Sequence, residues 1–112
     1  MDTVLVEQAA RAGIKYGVAY AAAVRKDSVG LATLFRATLV ADGAGADQHS
    51  AILWDQLQRW GDSAFARVLR TQPDTVRTRV RCALDYAACT PWASRYPHTA
   101  RLAARNPNCV CR

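Results

Sequence analysis

The sequence has few of the residues from which catalytic sites are usually built. It contains a single glutamate, Glu7, and two histidines, His49 and His98. Side chains of adjacent helix residues point about 100° apart, so His49 and its neighbour Ser50 do not form a nucleophile–base pair. The sequence also lacks a glycine-rich phosphate loop and the HExxH and GxSxG motifs. We therefore predict that the protein is not an enzyme.

Targeting and membrane-spanning segments are missing as well. Residues 1–13 are acidic and have neither the basic start nor the apolar run of a secretory signal. The most apolar stretch, residues 18–24, is too short to cross a bilayer. A hydrophobic fraction of 51% with 21% charged residues is typical of a soluble globular chain. We predict a cytoplasmic protein that does not bind a membrane.

The four cysteines do not form a recognisable metal or redox motif. Cys82 and Cys89 are seven residues apart, and Cys109 and Cys111 lie near the C-terminus without a CxxC pair. In a reducing compartment the default prediction is four free thiols. Two alternatives stay open: a zinc site built from Cys109, Cys111 and His98, and a disulfide between the tail and Cys82 or Cys89. We predict no metal and no cofactor.

The apolar pattern predicts an all-α fold with five or six helices. No segment alternates apolar and polar residues with the period of a β-strand. Residues 42–47 (DGAGAD) are predicted to be a loop, and their spacing does not match an EF-hand calcium site. Helices are predicted over about 3–25, with Gly13 and Gly17 inside, and over about 29–41, 48–60 and 98–105. Residues 1–108 are predicted to form one domain, followed by a flexible tail at 109–112.

Residues 61–86 (GDSAFARVLRTQPDTVRTRVRCALDY) predict two further helices, hinged at Pro73. Phe65, Val68 and Leu69 have helical spacing in the first, and Asp62 is a predicted cap for it. The apolar stripe of the second is Val76, Val80, Ala83, Leu84 and Ala87. Because the hinge is short, we expect the two helices to pack antiparallel. The segment resembles a HEAT-type repeat, in which stacked helix pairs form an interaction scaffold. An ordinary helical hairpin in a small bundle is the alternative.

Charge is distributed unevenly along the chain. The net charge is +6. Residues 1–58 carry five basic and six acidic side chains, whereas residues 59–112 carry ten basic and three acidic ones. All ten basic residues of the second part are arginines, which bind carboxylates and phosphates through paired hydrogen bonds. A basic half predicts an acidic partner.

A cluster of arginines is the main candidate for binding that partner. Arg77 and Arg81 are four residues apart in the second predicted helix, and Arg67 and Arg70 lie in the helix before it. We predict that Arg77 and Arg81 carry recognition. The alternative is a solvated helix face, with part of its charge used in the intrachain pairs Asp74–Arg77 and Arg81–Asp85.

Aromatic residues supply a second group of candidate contacts. Trp54 stands away from the apolar stripe of its helix, with Asp55 beside it. Trp92 and Arg95 combine an aromatic ring with a cation, a combination that suits an interface or a nucleic-acid base. Each tryptophan has an alternative role, since Trp54 can pack on a neighbouring helix and Trp92 can close the core.

Together these features predict a protein-binding module that has no chemistry of its own. Its small size and helical architecture are similar to those of bacterial adaptor and inhibitor proteins, among them immunity proteins that neutralise a cognate toxin. The partner is predicted to be a protein with an acidic surface, bound by a monomer or a homodimer. The alternative is a nucleic-acid-binding module that places the arginines on phosphates.

Overall fold

Aspartate, glycine and proline residues set the ends of most helices in this chain. The computed structural model describes residues 3–109, and within this range the chain is helical with no strand, which confirms the predicted all-α class. The helices, in chain order, are α1 (Thr3–Arg11), α2 (Tyr16–Val24), α3 (Ser28–Ala37), α4 (Gly43–Trp60), α5 (Asp62–Leu69), α6 (Asp74–Ala88) and the four-residue α7 (Pro97–Ala100).

The prediction of one continuous helix over residues 3–25 is wrong, because Gly13 divides this segment into α1 and α2. Gly13 adopts a positive φ of 77°, which costs glycine little. The amide of Ile14 donates to the carbonyl of Ala9 at 2.9 Å, and the amide of Gly13 donates to that of Ala10 at 3.0 Å. These two bonds form a Schellman motif, which ends α1. Gly17 lies within α2 at a position with open space, since no neighbour lies within 4 Å of its would-be Cβ position.

The close helix contact occurs instead at Gly30 in α3, which lies against α2. A Cβ atom at Gly30 would lie 2.5 Å from Cβ of Ala22 and 2.8 Å from the backbone nitrogen of Ala23. Asp27 begins α3, because its carboxylate accepts a hydrogen bond from the amide of Val29 at 2.9 Å. Alanine and glycine therefore let α2 and α3 approach more closely than larger side chains would allow.

We expect Gly30→Ala to destabilise the fold by about 1–3 kcal/mol, because the added methyl group overlaps the backbone of α2. Gly17→Ala, in the neighbouring helix, is the matched control and should stabilise by about 0.5–1 kcal/mol. Denaturant unfolding of both variants measures the difference. Equal effects of the two substitutions would contradict the proposed close contact.

The predicted loop at residues 42–47 is also largely wrong, since α4 already begins at Gly43. Asp42 caps the helix: its carboxylate accepts from the amide of Gly43 at 2.9 Å. The Gln8 side chain of α1 forms two further bonds with the Asp42 backbone, each of 3.0 Å. These contacts offset the low helix propensity of the two glycines in the first turn.

The two helices of residues 61–86 are present, but their main packing partners are other helices. The most extensive contact of α6 is with α4, and that of α5 is with α7. Val76, Val80, Ala83 and Leu84 are buried as predicted and face α4 rather than an antiparallel α5. The likeness to a HEAT-type repeat therefore stays a prediction.

The C-terminal segment follows a different course from the predicted helix at 98–105. Only Pro97–Ala100 is helical, and Asp62 of α5 caps it. The Asp62 carboxylate accepts hydrogen bonds from the amides of His98 and Thr99, both at 2.8 Å. Asp62 was predicted to cap α5, but it stabilises the start of α7 and thereby fastens the C-terminal segment to α5.

One hydrophobic core connects α1 to α6. Leu39 lies outside this core and is 42% exposed, because α3 ends at Ala37 and its periodicity does not continue. The large side chains that are almost fully buried are Leu5, Tyr16, Leu31, Leu34, Phe35, Leu53, Leu57, Phe65, Leu69 and Leu84.

Candidate binding surface

Two arginines one turn apart on α6 hold the C-terminal segment against that helix. Arg81 Nη1 donates to the carbonyl of Ala100 at 2.8 Å, and Arg77 Nε donates to that of Leu102 at 3.2 Å. Arg77 Nη1 also donates to the carbonyl of Gln72 at 2.7 Å. Carbonyl groups at helix ends lack an intrahelical partner, so these guanidinium groups satisfy acceptors that the short α7 leaves open.

Both arginines also contact carboxylates of their own helix. Arg81 Nε lies 3.1 Å from Asp85 Oδ2, and both side chains are only 11% exposed. Arg77 Nη2 lies 3.5 Å from Asp74 Oδ1, and Asp74 is 82% exposed. These are the two intrachain pairs that the alternative interpretation predicted. Arg77 and Arg81, predicted to carry recognition, are thus engaged in holding the fold together.

Trp92 is part of the same buried arrangement. Its indole Nε1 donates to Asp85 Oδ1 at 2.8 Å, and the guanidinium carbon of Arg81 lies 4.9 Å from its ring centroid. We call these three residues the Arg81–Asp85–Trp92 unit. Trp92 is 3% exposed, which confirms its predicted alternative role in closing the core. Its ring is therefore not accessible to a partner in this conformation.

Trp54 packs on this unit rather than standing free. Its ring centroid lies 6.2 Å from that of Trp92 and 5.8 Å from that of Tyr96, both in edge-on geometry. The neighbouring Asp55 pairs with Arg59 of its own helix at 2.6 Å. Of the predicted aromatic and charged contacts, Arg95 is the one that remains exposed, with its guanidinium carbon 5.9 Å from the Tyr96 ring centroid.

Five other arginines of the C-terminal half are exposed. Within residues 3–109 their side chains form no hydrogen bond, ion pair or ring contact. They are Arg67, Arg70, Arg79, Arg101 and Arg105. Arg67 lies on the exposed face of α5, opposite the buried Phe65 and Leu69, and Arg70 follows the last residue of that helix as its C-cap. These two residues, which we call the α5 arginine pair, and Arg95 are the predicted contact residues that remain exposed.

The carboxylates of this half are all engaged. Asp74 and Asp85 face Arg77 and Arg81, and Asp62 caps α7. Partial burial alone would raise the pKa of Asp62, but hydrogen bonds from the Thr99 and His98 amides and the Thr99 hydroxyl lower it on balance. Because these carboxylates are engaged elsewhere in the fold, they do not pair with the α5 arginine pair.

A buried polar network, which we did not predict, links α2, α4 and the end of α3 around His49. The Tyr16 hydroxyl lies 2.7 Å from His49 Nδ1, and the Thr38 hydroxyl lies 2.7 Å from His49 Nε2. His49 is four residues before Leu53 and eight before Leu57, so the spacing places it on the buried stripe of α4. From this spacing the burial of His49 could have been predicted. Through its two bonded ring nitrogens, His49 connects α2, α4 and the end of α3.

This network should make the fold sensitive to acid. Burial lowers the pKa of His49 from 6.5 to about 4. Between these values the unfolded chain binds a proton that the folded chain does not, so the free energy of unfolding falls as the pH decreases. The stabilisation is complete above about pH 6.5, and we expect a loss of about 3 kcal/mol by pH 4.

Denaturant unfolding at a series of pH values measures this loss. His49→Gln should remove the slope between pH 6.5 and 4, while His98→Gln, at an exposed histidine, should retain it. The lowered pKa of Asp62 affects stability only as the pH falls below 3.8, outside this window. A wild-type stability that stays constant from pH 6.5 to 4 would contradict the assignment.

The prediction of free thiols is wrong. Cys82 and Cys109 form a disulfide with Cα atoms 5.1 Å apart, and Cys89 is also disulfide-bonded. This outcome matches the alternative of a disulfide between the tail and α6. Cys109 was predicted to begin the flexible tail, but it is fastened to α6, whereas Val110 and Cys111 lie outside the described residues. No group of three or more metal-ligating side chains occurs within residues 3–109.

Comparison with protein-family models, curated proteins and solved structures finds no match to this chain. None of the helices described between residues 3 and 109 is long and apolar enough to cross a membrane. The inferences below therefore rest on the geometry of this chain alone.

Proposed function

We propose that this chain is a protein-binding domain without chemistry of its own, which recognises an acidic partner through Arg67 and Arg70. The observation that supports this most directly is that these exposed arginines have no carboxylate partner while Asp62, Asp74 and Asp85 are all engaged elsewhere. Two arginines three residues apart on a helix repel each other by a few tenths of a kcal/mol. An acidic partner would convert that repulsion into attraction.

The position of the pair on α5 suits recognition. The opposite face of this helix is buried through Phe65, Val68 and Leu69, which fixes the direction in which the arginines point. Asp62, at the start of α5, also accepts hydrogen bonds from the first amides of α7, so the orientation of α5 does not depend on its buried face alone. A rigid platform lowers the entropy lost on binding.

An acidic protein fits this surface better than a nucleic-acid backbone does. A phosphate backbone is tracked by a row of cations, and the predicted row was Arg67, Arg70, Arg77 and Arg81. Because Arg77 and Arg81 bond to carbonyl groups and carboxylates of this chain, the row is reduced to the α5 arginine pair. A compact pair of arginines matches one or two carboxylates.

The experiment is a pull-down from nuclease-treated native lysate, with captured proteins identified by mass spectrometry. We expect one stoichiometric protein, captured by the wild type but at least about tenfold less by Arg67→Glu/Arg70→Glu, since each lost charge pair is replaced by repulsion. The control is Arg11→Glu/Lys15→Glu, which changes the net charge equally at exposed positions of the N-terminal half.

Two results would overturn the proposal. One is capture that both variants retain equally, which would remove the role of the α5 arginine pair. The other is capture that disappears with nuclease and, without nuclease, falls steeply with added salt, which would favour phosphate binding.

Two further predictions concern the compartment in which the protein acts and the toxin-inhibitor class to which it was assigned. The disulfide at Cys82 favours an oxidising compartment over the predicted cytoplasm, because cytosolic thiols are kept reduced. Alkylation of free thiols in acid-quenched cells measures which state is present. A toxin inhibitor is one member of the proposed class, and a captured toxin whose activity falls in a stoichiometric mixture would place the chain there.

A further inference from the structure

A polar groove with a volume of about 760 Å³ lies between the N-terminal half of α4 and one face of α6. Asp42, Asp47 and Ser50 line it from the α4 side, and Arg79 lines it from α6. Asn106 and the Cys82–Cys109 disulfide close a third side. Its volume is in the range of small-molecule sites, and it does not include the α5 arginine pair.

Two hydroxyl groups at the floor of the groove have hydrogen-bonding capacity left over. Ser50 is only 6% exposed and lines the groove, and its hydroxyl forms no hydrogen bond with another group of residues 3–109. Thr38 is 8% exposed and lines the same wall, with its hydroxyl bonded to His49 Nε2. Because both residues line the groove, either hydroxyl can form a hydrogen bond with a molecule bound there.

The donors and acceptors available around His49 determine the direction of its hydrogen bonds. If Tyr16 donates to Nδ1, then Nε2–H donates to Thr38, and the Thr38 proton is free to point into the groove. In the opposite direction the Tyr16 proton would be buried with no acceptor, since His49 is the one hydrogen-bond partner of that hydroxyl in the described chain. The first arrangement satisfies the Tyr16 hydroxyl and both ring nitrogens of His49, and it leaves the Thr38 proton available to a ligand.

The rim of the groove carries opposite charges that do not pair with each other. Asp42 and Asp47 lie at the start of α4, and Asp42 uses one carboxylate oxygen to cap Gly43. Arg79 is exposed on α6 and forms no ion pair within residues 3–109. The groove therefore offers a cation and two hydroxyl donors to an anionic group, and carboxylates to a cationic one.

We propose that this groove binds a small zwitterion of the amino-acid or dipeptide class. The ligand carboxylate lies against Arg79 and accepts from the hydroxyls of Thr38 and Ser50. The ligand ammonium group lies against Asp42 and Asp47. The site is independent of the proposed protein-binding surface, so either assignment can fail without the other.

Three dipeptide probes of similar size test this assignment. They are alanyl-glycine, its N-acetylated form, which keeps only the carboxylate, and its C-terminal amide, which keeps only the ammonium. Nuclear magnetic resonance of the ¹⁵N-labelled chain should show saturable shifts at Asp47, Ser50 and Arg79 with the zwitterion. Each singly charged probe should bind about tenfold more weakly, because one charged contact is lost.

Substitutions at the rim separate the two ends of the ligand. Arg79→Gln should weaken the zwitterion and the N-acetylated probe but leave the amide unchanged. Asp47→Asn should weaken the zwitterion and the amide but leave the N-acetylated probe unchanged. Both positions are exposed, so both variants should fold. The controls, Arg67→Gln and Asp74→Asn, remove the same charges outside the groove.

Several outcomes would overturn the proposal. They are the absence of saturable shifts up to concentrations on the order of 10 mM, shifts that cluster away from Ser50, and equal affinity for all three probes. Affinity that falls equally in the rim variants and in the controls would also overturn it, since only net charge would then matter.

Discussion

Replacing Asp85 with alanine is expected to lower the free energy of unfolding by about 3–5 kcal/mol. The carboxylate contacts Arg81 and accepts from the indole of Trp92, and both charged side chains are 11% exposed. Its loss leaves a guanidinium group and an indole N–H buried with fewer partners, and desolvated groups of this kind are costly. The C-terminal segment should loosen as well, because Arg81 also holds the carbonyl of Ala100.

Denaturant unfolding of Asp85→Ala measures this loss, and Asp74→Ala is the matched control. Asp74 pairs with Arg77, the neighbouring arginine on α6, but it is 82% exposed and its contact is 3.5 Å long. We expect its loss to cost at most about 0.5 kcal/mol. Asp85→Asn should fall between the two, because it keeps an acceptor for Trp92 and removes the charge. Similar losses for Asp85→Ala and Asp74→Ala would show that burial does not distinguish the pairs.

Periodicity in the sequence predicts which face of a helix is buried, and this part of the fold is confirmed. Val76, Val80 and Leu84 recur at helical spacing and lie in the core of α6. The pair Arg81–Asp85 has the spacing of a helical ion pair and forms one. Each of these features depends on residues within two turns of one another.

Contacts between distant segments could not be predicted in this way. Asp62 looks like a cap for its own helix, and the α7 amides that it binds are 36 and 37 residues away in sequence. Periodicity assigns a buried face to α6, but it does not state that α4 rather than α5 covers that face. The packing of the whole chain determines which distant segments come into contact, and the spacing of residues within one segment contains no information on this.

Helix ends were a second source of error, and for a physical reason. Gly13 was treated as a weak helix residue, although a glycine followed by an apolar residue is also a strong end signal. At Gly43 the opposite occurred, because Asp42 and the Gln8 side chain stabilise a helix start at which glycine adopts a positive φ of 53°. The effect of a glycine thus depended on capping partners, of which Gln8 is distant in sequence.

The residues of the candidate site also differ from the predicted ones because of contacts with a distant segment. Spacing alone placed Arg77 and Arg81 on an outer face, but the C-terminal segment returns to that face and engages both of them. The arginines that remain exposed, Arg67 and Arg70, have no such segment over them. Whether an arginine recognises a partner or holds a chain together is decided by what packs on it.

Breaking the Cys82–Cys109 disulfide while the disulfide of Cys89 stays intact is expected to lower the free energy of unfolding by about 2–3 kcal/mol. The two cysteines are separated by 27 residues, and a bond that closes such a loop removes conformational entropy from the unfolded chain. In the folded chain the bond holds Cys109 on α6, the helix whose Arg77 and Arg81 hold the carbonyls of Ala100 and Leu102. The C-terminal segment is therefore fastened to one helix at successive points.

The double variant Cys82→Ala/Cys109→Ala, unfolded in denaturant without reductant, isolates this bond because Cys89 is unchanged. We expect a lower midpoint together with a larger dependence of stability on denaturant concentration, since the unfolded chain without the bond is more expanded and exposes more surface. Loss of packing around the cysteines would lower the midpoint without changing that dependence. A loss below about 1 kcal/mol with an unchanged dependence would contradict the entropic role, and the arginine contacts on α6 would then be what holds the segment in place.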